Sequence, residues 1–588
     1  MQSLQQYFDL ALETPDGIKK LRELILTLAM QGTLVPQNPK DQPAAELLKE
    51  IEAEKKRLVK EGKIRKQEPL PPIKPEEIPY GLPKNWQWVR LGDVGTWKSG
   101  STPSRTNNLY YEGNIPWVKS GEVKQGHICQ TTETITEKAL AECPLTLNPV
   151  GSVLIAMYGA NIGDVGILEI EATTNQAVCA CNPYCNIDRF FLLNLLVAIK
   201  PRFIEQGAGA AQPNISREKI INTVIPIPPL VEQHRIVTKI DELMTLCDNL
   251  EAERDERDRK RLAAHASAVN RLLSAPDAAA FESAWRFIVG KFDQLYSVPT
   301  NVADLKKAIL QLAVMGKLVP QNPNDQPAGE LLKEIEAEKK RLVKEGKIRK
   351  QEPLPPIKPE EIPYELPQNW QWVRLCELVD VETGSTPAKT NQEYYNGTIP
   401  WYTSSATNNI IAETPETYIT EKAIKETNCK IFPEGSLIIA LYGQGKTRGQ
   451  ISEIVVPGAT NQAIAAMIFG EISKKTKSYL KYFFIKIYTE IRLLAAGAAQ
   501  PNLNVGKVKN TLIPLPPLVE QQRIVTEIDE LMALCNKLEQ QITAATEKRT
   551  AIFNAVLNKI AEGMDIPAPG DLAITVHEQT FRMGKNAK

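Results

Sequence analysis

The sequence has no excess of charge of either sign. Lys and Arg together number 70, Asp and Glu together number 70, and the formal net charge at pH 7 is zero. Affinity for nucleic acid draws on clustered cations that displace counterions along the phosphate backbone. The composition therefore gives no support for a nucleic-acid partner, and such a function has to be inferred from other features.

The sequence also lacks any apolar run long enough to cross a membrane. The longest run, Phe190 to Ile199, falls short of the roughly 20 residues that a spanning helix needs. Met1 to Thr14 carries Asp9 and Glu13 and lacks the basic stretch that opens a secretory signal. These features predict a cytoplasmic protein.

Cysteine is scarce, and its count is odd. Nine cysteines in 588 residues indicate reduced thiols rather than a disulfide framework. His127 and the cysteines between Cys129 and Cys185 suggest a zinc site at first sight, but no pair has the two-residue spacing that structural zinc favours. We therefore expect no metal on this chain.

A long stretch of the chain is present twice. The segment Glu46–Tyr80 returns unchanged as Glu330–Tyr364, and the heptapeptide NWQWVRL occurs at Asn85 and at Asn369. Further landmarks keep their order in both copies: GSTP at Gly100 and Gly384, IPW at Ile115 and Ile399, TNQA at Thr174 and Thr460, AQPN at Ala211 and Ala499, and IPxPPLVEQ at Ile225 and Ile513. The period is too long for a solenoid, so the pattern indicates a two-copy duplication.

Each copy divides into a helical arm, a variable module and a long helix. Short β-branched runs bounded by Gly, Pro and Asn predict a loop-rich α+β module. The predicted parts are the arm and Pro-rich linker 1–81, the first module 82–229, a long helix and connector 230–304, the repeated arm 305–365, the second module 366–517, and a last helix with its tail 518–588. The predicted fold class is α+β: two similar modules joined and spaced by long antiparallel coiled-coil helices in a pseudo-two-fold repeat.

Local patterns give the arm and the long helices their expected limits. Asp41 is predicted as the N-cap of the arm helix, and Gly62 as its stop. The long helices carry apolar residues in steps of four and three, which is a heptad seam. The seam residues are Ile236, Ile240, Leu243, Cys247 and Leu250 in the first copy and Ile524, Ile528, Leu531, Cys535 and Leu538 in the second.

Polar and aromatic residues at the loops of both modules are the candidate DNA contacts. They are Ser101, Thr102, Lys119, Tyr158, Asn161, Gln212 and Asn214 in the first module, and Ser385, Thr386, Tyr442, Lys446, Arg448, Gln500 and Asn502 in the second. Such side chains suit base edges and phosphates. The alternative is that they are turn and cap residues that hold loops. Trp86, Trp88 and Trp117 are expected in the core.

Two segments imitate enzyme motifs. Ala440–Thr447 satisfies a relaxed phosphate-loop pattern that contains Lys446, but such a loop must lead into a helix, and Arg448 to Val456 predicts a loop and then a strand. A basic DNA-facing loop is the favoured interpretation. Asn182-Pro183-Tyr184 lacks one proline of the adenine methyltransferase motif, and no Gly-rich cofactor loop accompanies it. We find no triad or nuclease carboxylate cluster that recurs in both copies.

The ordered set of motifs resembles the specificity (S) subunits of type I restriction–modification enzymes, the HsdS family, and in particular its larger members with long repeated arms. The resemblance rests on Leu82-Pro83-x-x-Trp86-x-Trp88-x-x-Leu91-Gly92-Asp93, on the GSTP and IPW motifs, and on the segment from Ile225 to Ile236. All recur in the second copy, although Cys376-Glu377 replaces Gly92-Asp93. The resemblance covers nearly the whole chain.

The resemblance implies a DNA-recognition subunit without catalysis of its own. Each module would read one half of a bipartite, asymmetric site on double-stranded DNA, and the helices would fix the spacer. Two M (methyltransferase) subunits that bind S-adenosylmethionine, and two R (restriction/translocase) subunits that use ATP and Mg if they are present, would dock on the scaffold. We expect Ile240, Leu243, Ile528 and Leu531 to join partner helices, and no cofactor on this chain. The alternatives are a two-domain interaction scaffold with carbohydrate or peptide ligands, or an NTPase that uses Lys446.

Overall fold

The computed structural model describes residues 8–207, 214–346, 348, 355–413, 415, 417–442, 447–496 and 503–562. The chain divides into two compact units. Unit one comprises Met1–Asp258 and Ala545–Arg582, and unit two comprises Arg259–Ala544 and Met583–Lys588. Each unit thus holds one arm, one module and parts of both long helices. Along the described ranges, no helix is long and apolar enough to cross a membrane.

Helices form the arms and connect the sheets. Those that begin in unit one are α1 Phe8–Glu13, α2 Gly17–Met30, α3 Ala44–Lys60, α4 Glu137–Glu142, α5 Arg189–Gly207, α6 Arg217–Asn222 and α7 Leu230–Leu273. Those that begin in unit two are α8 Ala278–Gly290, α9 Phe292–Leu295, α10 Pro299–Val314, α11 Ala328–Lys344, α12 Leu375–Leu378, α13 Glu421–Glu426, α14 Lys477–Lys486, α15 Tyr488–Ala496, α16 Val505–Lys509 and α17 Leu518–Ala561.

The strands are short, as the β-branched runs predict. Unit one has β1 Gln87–Arg90, β2 Gly95–Ser99, β3 Tyr111–Val118, β4 Gly126–Ile128, β5 Glu133–Ile135, β6 Val153–Ala156, β7 Val165–Leu168, β8 Thr173–Thr174, β9 Val178–Pro183 and β10 Val224–Ile227. Unit two has β11 Gln371–Arg374, β12 Asp380–Thr383, β13 Tyr395–Tyr402, β14 Ile411–Ala412, β15 Tyr418–Ile419, β16 Ile431–Phe432, β17 Leu437–Ala440, β18 Ile451–Ile454, β19 Gly458–Thr460, β20 Ile464–Ile468 and β21 Leu512–Leu515.

A five-stranded sheet is the centre of each module. In unit one the order is β2-β9-β6-β7-β4, and every pairing is antiparallel except that of β4 with β7. All four residues of β6 are buried because the strand is apolar on both faces. Unit two repeats this order as β12-β20-β17-β18-β14. The structure therefore confirms two similar α+β modules.

A smaller sheet packs beside each central sheet. It is β5-β3-β8 in unit one and β15-β13-β19-β16 in unit two. The antiparallel partner shifts its register within β3, between Tyr111 and Ile115, and Glu112 there has a φ of 60°. Asn396 in β13 has a φ of 59° at the equivalent bulge. The two copies thus keep even a strained backbone feature.

Within each unit, the NWQWVRL and IPxPPLVEQ motifs of that copy pack on each other. β1, which belongs to NWQWVRL, pairs antiparallel with β10 of IPxPPLVEQ, so that Trp88 lies opposite Pro226. Trp372 lies opposite Pro514 in the same way. The recurrence of these motifs therefore maintains a shared scaffold that carries the module.

A buried carboxyl at the start of each long helix accepts hydrogen bonds from other parts of its unit. Glu232 accepts a hydrogen bond from Gln37 Nε2 at 2.5 Å, and Glu520 accepts one from Trp370 Nε1 at 3.0 Å. Both glutamates are 1% exposed, and burial raises the pKa of each carboxyl above its ordinary value. In unit one this bond joins the arm to the long helix, and in unit two Gln321 Nε2 also donates to Glu520 at 2.6 Å, so that arm, module and long helix meet there.

The arm helix ends where the sequence predicts but begins differently. Gly62 follows α3 with a φ of 71°, and the Gly62 N–H donates to Val59 O at 3.1 Å, which closes the helix. The predicted N-cap Asp41 is wrong because Pro43 occupies the cap position without a side-chain hydrogen bond. Asp41 instead accepts from Arg235 at 2.5 Å and ties the arm to α7.

The Pro-rich linker is held against the module. The buried Arg90 guanidinium donates to Pro71 O at 2.6 Å and to Pro72 O at 3.1 Å, and it pairs with Glu77. This hydrogen-bonding lowers the pKa of the Glu77 carboxyl. Arg374 pairs with Glu361 in unit two. In unit one the linker is therefore an ordered part of the unit rather than a free spacer.

The heptad seams are buried within the units. Ile236, Ile240, Leu243 and Cys247 pack into the core of unit one, together with Phe553 and Leu557 from the end of α17. Ile524, Ile528 and Cys535 pack into the core of unit two, together with Ala268 and Leu272 from the end of α7. Each long helix thus begins in one unit and ends in the other. The role of the helices as a spacer stays a prediction.

Candidate functional site

Loops from four strands meet at one end of each five-stranded sheet. Because neighbouring strands are antiparallel, the end of β2, the start of β9, the end of β6 and the start of β7 lie together. Backbone bonds join these loops: Gly100 N to Val178 O at 3.0 Å and Met157 N to Ala177 O at 2.8 Å. We call this loop end rim one in unit one and rim two in unit two.

Most candidate residues of the first module lie on rim one. Lys119 joins this end because Asn175 N donates to Val118 O at 2.9 Å beside it. The described members of rim one are Ser101, Thr102, Arg105, Lys119, Glu133, Tyr158, Asn161, Gln176 and Asn214. The described members of rim two are Ser385, Thr386, Lys389, Thr403, Thr417, Tyr442, Arg448 and Gln462. The predicted Gln212, Lys446, Gln500 and Asn502 lie outside the described residues.

The first half of the GSTP motif holds the loop, and its threonine lies on the surface. A Cβ on Gly100 would lie 2.1 Å from Thr174 O, so only glycine allows this approach of two backbones. Ser101 N donates to Thr174 O at 3.0 Å, and the Trp117 indole donates to Ser101 O at 3.2 Å. The first half of the motif therefore holds the loop, in agreement with the alternative interpretation.

The threonine of the motif orients a glutamine side chain on the surface. The Thr102 hydroxyl donates to Gln176 Oε1 on the surface, and Thr386 donates to Gln462 Oε1 in the same way. Each pair holds a glutamine amide on its rim, and an amide can both donate to and accept from a base edge.

An exposed tyrosine stands next to each glutamine. Tyr158 is 42% exposed and Tyr442 is 38% exposed, although both adjoin fully buried strands. Tyr158 forms an isolated bridge with Asn214, and Ile215 N donates to Met157 O at 2.9 Å. These bonds bring Asn214, which is distant in sequence, onto rim one. Asn161 ends a single 3₁₀ turn after Tyr158.

Rim one carries a charge cluster of which the sequence indicated only one member. Lys119 Nζ lies 2.8 Å from Glu133 Oε1, and Arg105 Nη1 lies 2.7 Å from Glu133 Oε2. The hydrogen bond from Arg105, followed by that from Lys119, lowers the pKa of the Glu133 carboxyl. Arg105 could have been suspected from its place just after the GSTP motif, whereas nothing local to Glu133 indicates its position.

The structure distinguishes the segment that ends at Thr447 from a true phosphate loop. Thr447 and Arg448 lead into the strand β18 rather than into a helix. No helix N-terminus therefore follows this loop to hold phosphates with its amides. Arg448 lies in the turn between β17 and β18, and Gly449 N donates to Ala440 O at 2.8 Å within that turn.

The cysteines of β9 belong to the core. Cys179 and Cys181 are fully buried, and burial raises the pKa of the Cys179 thiol to about 12. A thiol that keeps its proton is a poor metal ligand. Within the described part of the chain, no three His, Cys, Asp or Glu side chains gather as a metal site.

Three of the four residues expected to bind partner helices are covered within their own unit. Ile240 and Ile528 are 1% exposed and Leu243 is 4% exposed, each inside its own unit. Leu531 is partly buried against the same core as Ile528. The heptad periodicity was recognised, but it reflects intramolecular packing because α2 and α10 already cover the seams. Docking surfaces have to be sought on exposed parts of the arms.

Comparison with known proteins gives a consistent result. Residues 83–257 and 367–548 match the model of the type I restriction modification DNA specificity domain. The chain is 34% identical over 579 residues to the Escherichia coli type I restriction enzyme EcoAI specificity subunit. The alignment covers 92% of this chain and 93% of that protein. The chain is 32% identical over 573 residues to the EcoEI specificity subunit of the same organism, with the same two coverages of 92% and 93%.

Solved structures of lower similarity have also been found. A chain from a structure of a type I R-M system, described as showing complex assembly and conformational transition, aligns with a TM-score of 0.47 and 19% identity over 82% of this chain and 99% of that one. The HsdS subunit from Thermoanaerobacter tengcongensis aligns with a TM-score of 0.42 and 19% identity over 82% and 98%.

Proposed function

The chain belongs to the type I restriction modification DNA specificity family, and we propose that each of its units reads one half of a split DNA target through its rim. The observation that carries this proposal is the repetition of one loop frame with different chemistry. Thr102–Gln176 and Thr386–Gln462 are the same pair, whereas Lys119 and Arg448 belong to one rim each. Two similar frames with unlike side chains suit a bipartite, asymmetric site.

The rims present the side chains that base reading needs. Gln, Asn, Thr and Lys are among the residues that hydrogen-bond to base edges in the major groove, and an exposed Tyr adds apolar contact. Rim one offers Gln176, Asn214, Lys119 and Tyr158 from four separate loops. The balanced net charge indicates that phosphate attraction is local rather than global.

As a member of this family, the chain acts with other subunits of a restriction–modification complex. We propose that two M subunits dock on the two arms, and that two R subunits join where the complex has them. The identical surface of Glu46–Tyr80 and Glu330–Tyr364 can be matched twice by one partner. In unit one, a groove of about 740 Å³ opens between α3 and the Pro-rich segment, lined by Leu48, Val59 and Leu70.

We further propose that the chain has no catalysis or cofactor of its own. S-adenosylmethionine would bind the M subunits, and ATP with Mg the R subunits. The buried Cys179 argues against a thiol-dependent site at β9, and the strand after Arg448 argues against a phosphate loop at that turn. The purified chain should neither methylate nor cleave DNA nor hydrolyse ATP, and any such activity in an uncontaminated preparation would refute this part of the proposal.

The DNA-reading proposal can be tested with the full chain and a pool of random duplexes. Bound duplexes are recovered at moderate salt and sequenced, and a two-part motif with a fixed spacer is expected. Tyr158→Ala should weaken selection in one half of the motif, and Tyr442→Ala in the other half. Val150→Ala is the matched control because Val150 is 52% exposed but lies at the opposite end of the same sheet. Selection of no two-part motif by the wild-type chain would contradict the proposal.

A further inference from the structure

Each rim has the same second set of internal contacts beneath its surface. The Tyr111 hydroxyl donates to Pro103 O at 2.6 Å, and the Tyr395 hydroxyl donates to Pro387 O at 2.7 Å. The Trp117 and Trp401 indoles both donate to the serine carbonyl of the GSTP motif at 3.2 Å. Positions that follow these anchors are therefore equivalent in space in the two rims.

Three equivalent positions carry different side chains, and two of them differ in charge. Arg105 and Lys389 each stand two residues after the proline of the motif, and Lys119 and Thr403 each stand two residues after the tryptophan. Glu133 lies opposite Trp117 in the sheet. Thr417 holds that place in unit two, since its carbonyl accepts from Trp401 N at 3.0 Å. Rim one thus has Arg, Lys and Glu where rim two has Lys, Thr and Thr.

The charged side chains of rim one are ordered before any ligand arrives. The Arg105 guanidinium lies 4.7 Å from the Tyr111 ring centroid and 5.0 Å from that of Trp117. Glu133 fixes the other side of Arg105 and the end of Lys119. Arg105 nevertheless remains 54% exposed. A planar guanidinium held in this way has already lost most of its conformational freedom. Binding a ligand therefore costs it little further entropy.

The carboxylate in the middle of the cluster distinguishes base reading from phosphate binding. A phosphate would be repelled by Glu133, and two lysines or arginines would hold a phosphate better without it. A carboxylate is instead the acceptor that suits the N4 amino group of cytosine, and arginine is the fork that suits O6 and N7 of guanine. The cluster offers both groups side by side.

We propose that Arg105, Glu133 and Lys119 are the specificity-determining residues of rim one, and that they select a G·C pair in the half-target of unit one. This inference rests on the proposed function, because it assumes that the rim meets DNA. The Thr102–Gln176 pair, which rim two repeats as Thr386–Gln462, supplies the contact that both half-targets share. Thr403 and Thr417 of rim two lack the charges that this G·C contact needs.

The test exchanges the three residues between rims in the full chain. The variant R105K/K119T/E133T gives rim one the side chains of rim two, and selection from random duplexes is compared with the wild type. One G·C pair in one half-target should lose its preference by about 5- to 150-fold, and the other half-target should stay the same. The reciprocal variant K389R/T403K/T417E should gain a G·C preference in the second half-target.

The matched control removes an ion pair away from both rims and both arms. Arg286 and Glu282 lie 2.9 Å apart on the exposed face of α8, so R286T/E282T also removes one charge of each sign. It should leave both half-targets unchanged, and circular dichroism checks that all variants are folded.

The outcomes separate this inference from the proposal on which it rests. Failure of the wild-type chain to select any two-part motif would refute the proposed function and this inference with it. A wild-type motif that the triple variant leaves intact, or changes in both halves, would refute only the inference. Loss of an A·T pair instead of a G·C pair would overturn the assignment of the bases.

Discussion

At the scale of single residues, a few side chains decide the frame on which each rim rests. Gly100 and Gly384 bring two backbones into contact, Glu232 bonds the arm to its long helix, and Glu520 bonds both arm and module to its long helix. Glu232, Glu520 and Gly384 are buried and Gly100 is half-buried, so their part lies in the frame beneath each rim. Their recurrence in both copies therefore reflects the needs of the scaffold rather than those of a target.

Gly100→Ala should disrupt rim one. The added Cβ would lie 2.1 Å from Thr174 O, and backbone cannot yield as a flexible side chain can. We expect the free energy of unfolding to fall by about 1–3 kcal/mol, as measured by urea denaturation. Gly121→Ala is the control, because nothing lies within 4 Å of its Cβ. Equal stability of the two variants would show that the loop accommodates the methyl group.

Glu232→Gln should change the dependence of stability on pH. Burial raises the pKa of Glu232 in the folded chain, so the folded state binds this proton more readily than the unfolded state. The contribution of the carboxyl is thus fully present below about pH 4.5, its ordinary value, and is lost as the pH rises through the raised pKa.

The measurement is the unfolding free energy of wild type minus that of the variant between pH 4 and pH 7. This difference should decline as pH rises, since glutamine does not titrate. A difference that is flat, or that increases with pH, is incompatible with the raised pKa. Glu46→Gln on the exposed face of α3 serves as the reference.

At the scale of elements, the long helices are structural parts of both units. Their apolar seams face α2 and α10 and the helices of the modules, and charged contacts reinforce this packing. Arg22 of α2 lies 2.5 Å from Asp248 of α7, and Lys306 of α10 lies 2.7 Å from Glu539 of α17. The seams therefore cannot meet partner helices without opening their own unit.

Leu243→Asp should unfold unit one rather than release a partner. Leu243 is 4% exposed, and an unpaired charge at that place has no compensating group. We expect a loss of about 4 kcal/mol or more, visible as a lowered thermal midpoint by circular dichroism. Val231→Asp on the same helix, where the side chain is 55% exposed, should stay within about 0.5 kcal/mol. A stable Leu243→Asp chain would restore this residue as a docking candidate.

The spacer role of α7 leads to a geometric prediction. Seven residues inserted after Leu250 preserve the heptad seam and lengthen the helix by about 10 Å. The spacer between the half-targets should change, or binding should be abolished, as measured by selection from random duplexes. An unchanged spacer at full affinity would show that α7 is not the ruler.

At the scale of the whole molecule, the duplication gives two equivalent scaffolds with two different reading surfaces. The arms are identical over Glu46–Tyr80 and Glu330–Tyr364, and one of the contacts that each makes with its module goes to a backbone N–H. Glu54 accepts from Cys185 N at 2.6 Å, and the equivalent Glu338 accepts from Glu471 N at 2.9 Å. One arm sequence can therefore hold two modules whose side chains have diverged.

Replacement of a whole module should change one half-target only. We expect a chain in which 82–229 is exchanged for a module of another family member to select a new first half and the original second half. The backbone contacts of Glu54 should survive the exchange, so the chimera should fold. A simultaneous change of both halves would mean that the units do not read DNA independently.

Some features of this protein follow from the sequence alone. The duplication was predicted because the copied segments can be read directly, and the α+β class and the end of α3 at Gly62 were predicted because they depend on neighbours within a few residues along the chain. The family was also identified from the order of short motifs. The start of α3 was missed because Asp41 has a distant partner, Arg235, that outweighs its local preference for capping.

Only the tertiary structure decided which candidates share a surface and which are covered. Rim one joins Thr102, Lys119, Gln176 and Asn214 because antiparallel strands bring their ends together, and no local pattern encodes that proximity. Glu133 entered the cluster only through its strand pairing with Trp117. The heptad seam was visible in the sequence, but periodicity shows that a face is buried and not what covers it, which is why Leu243 was first taken for a docking residue.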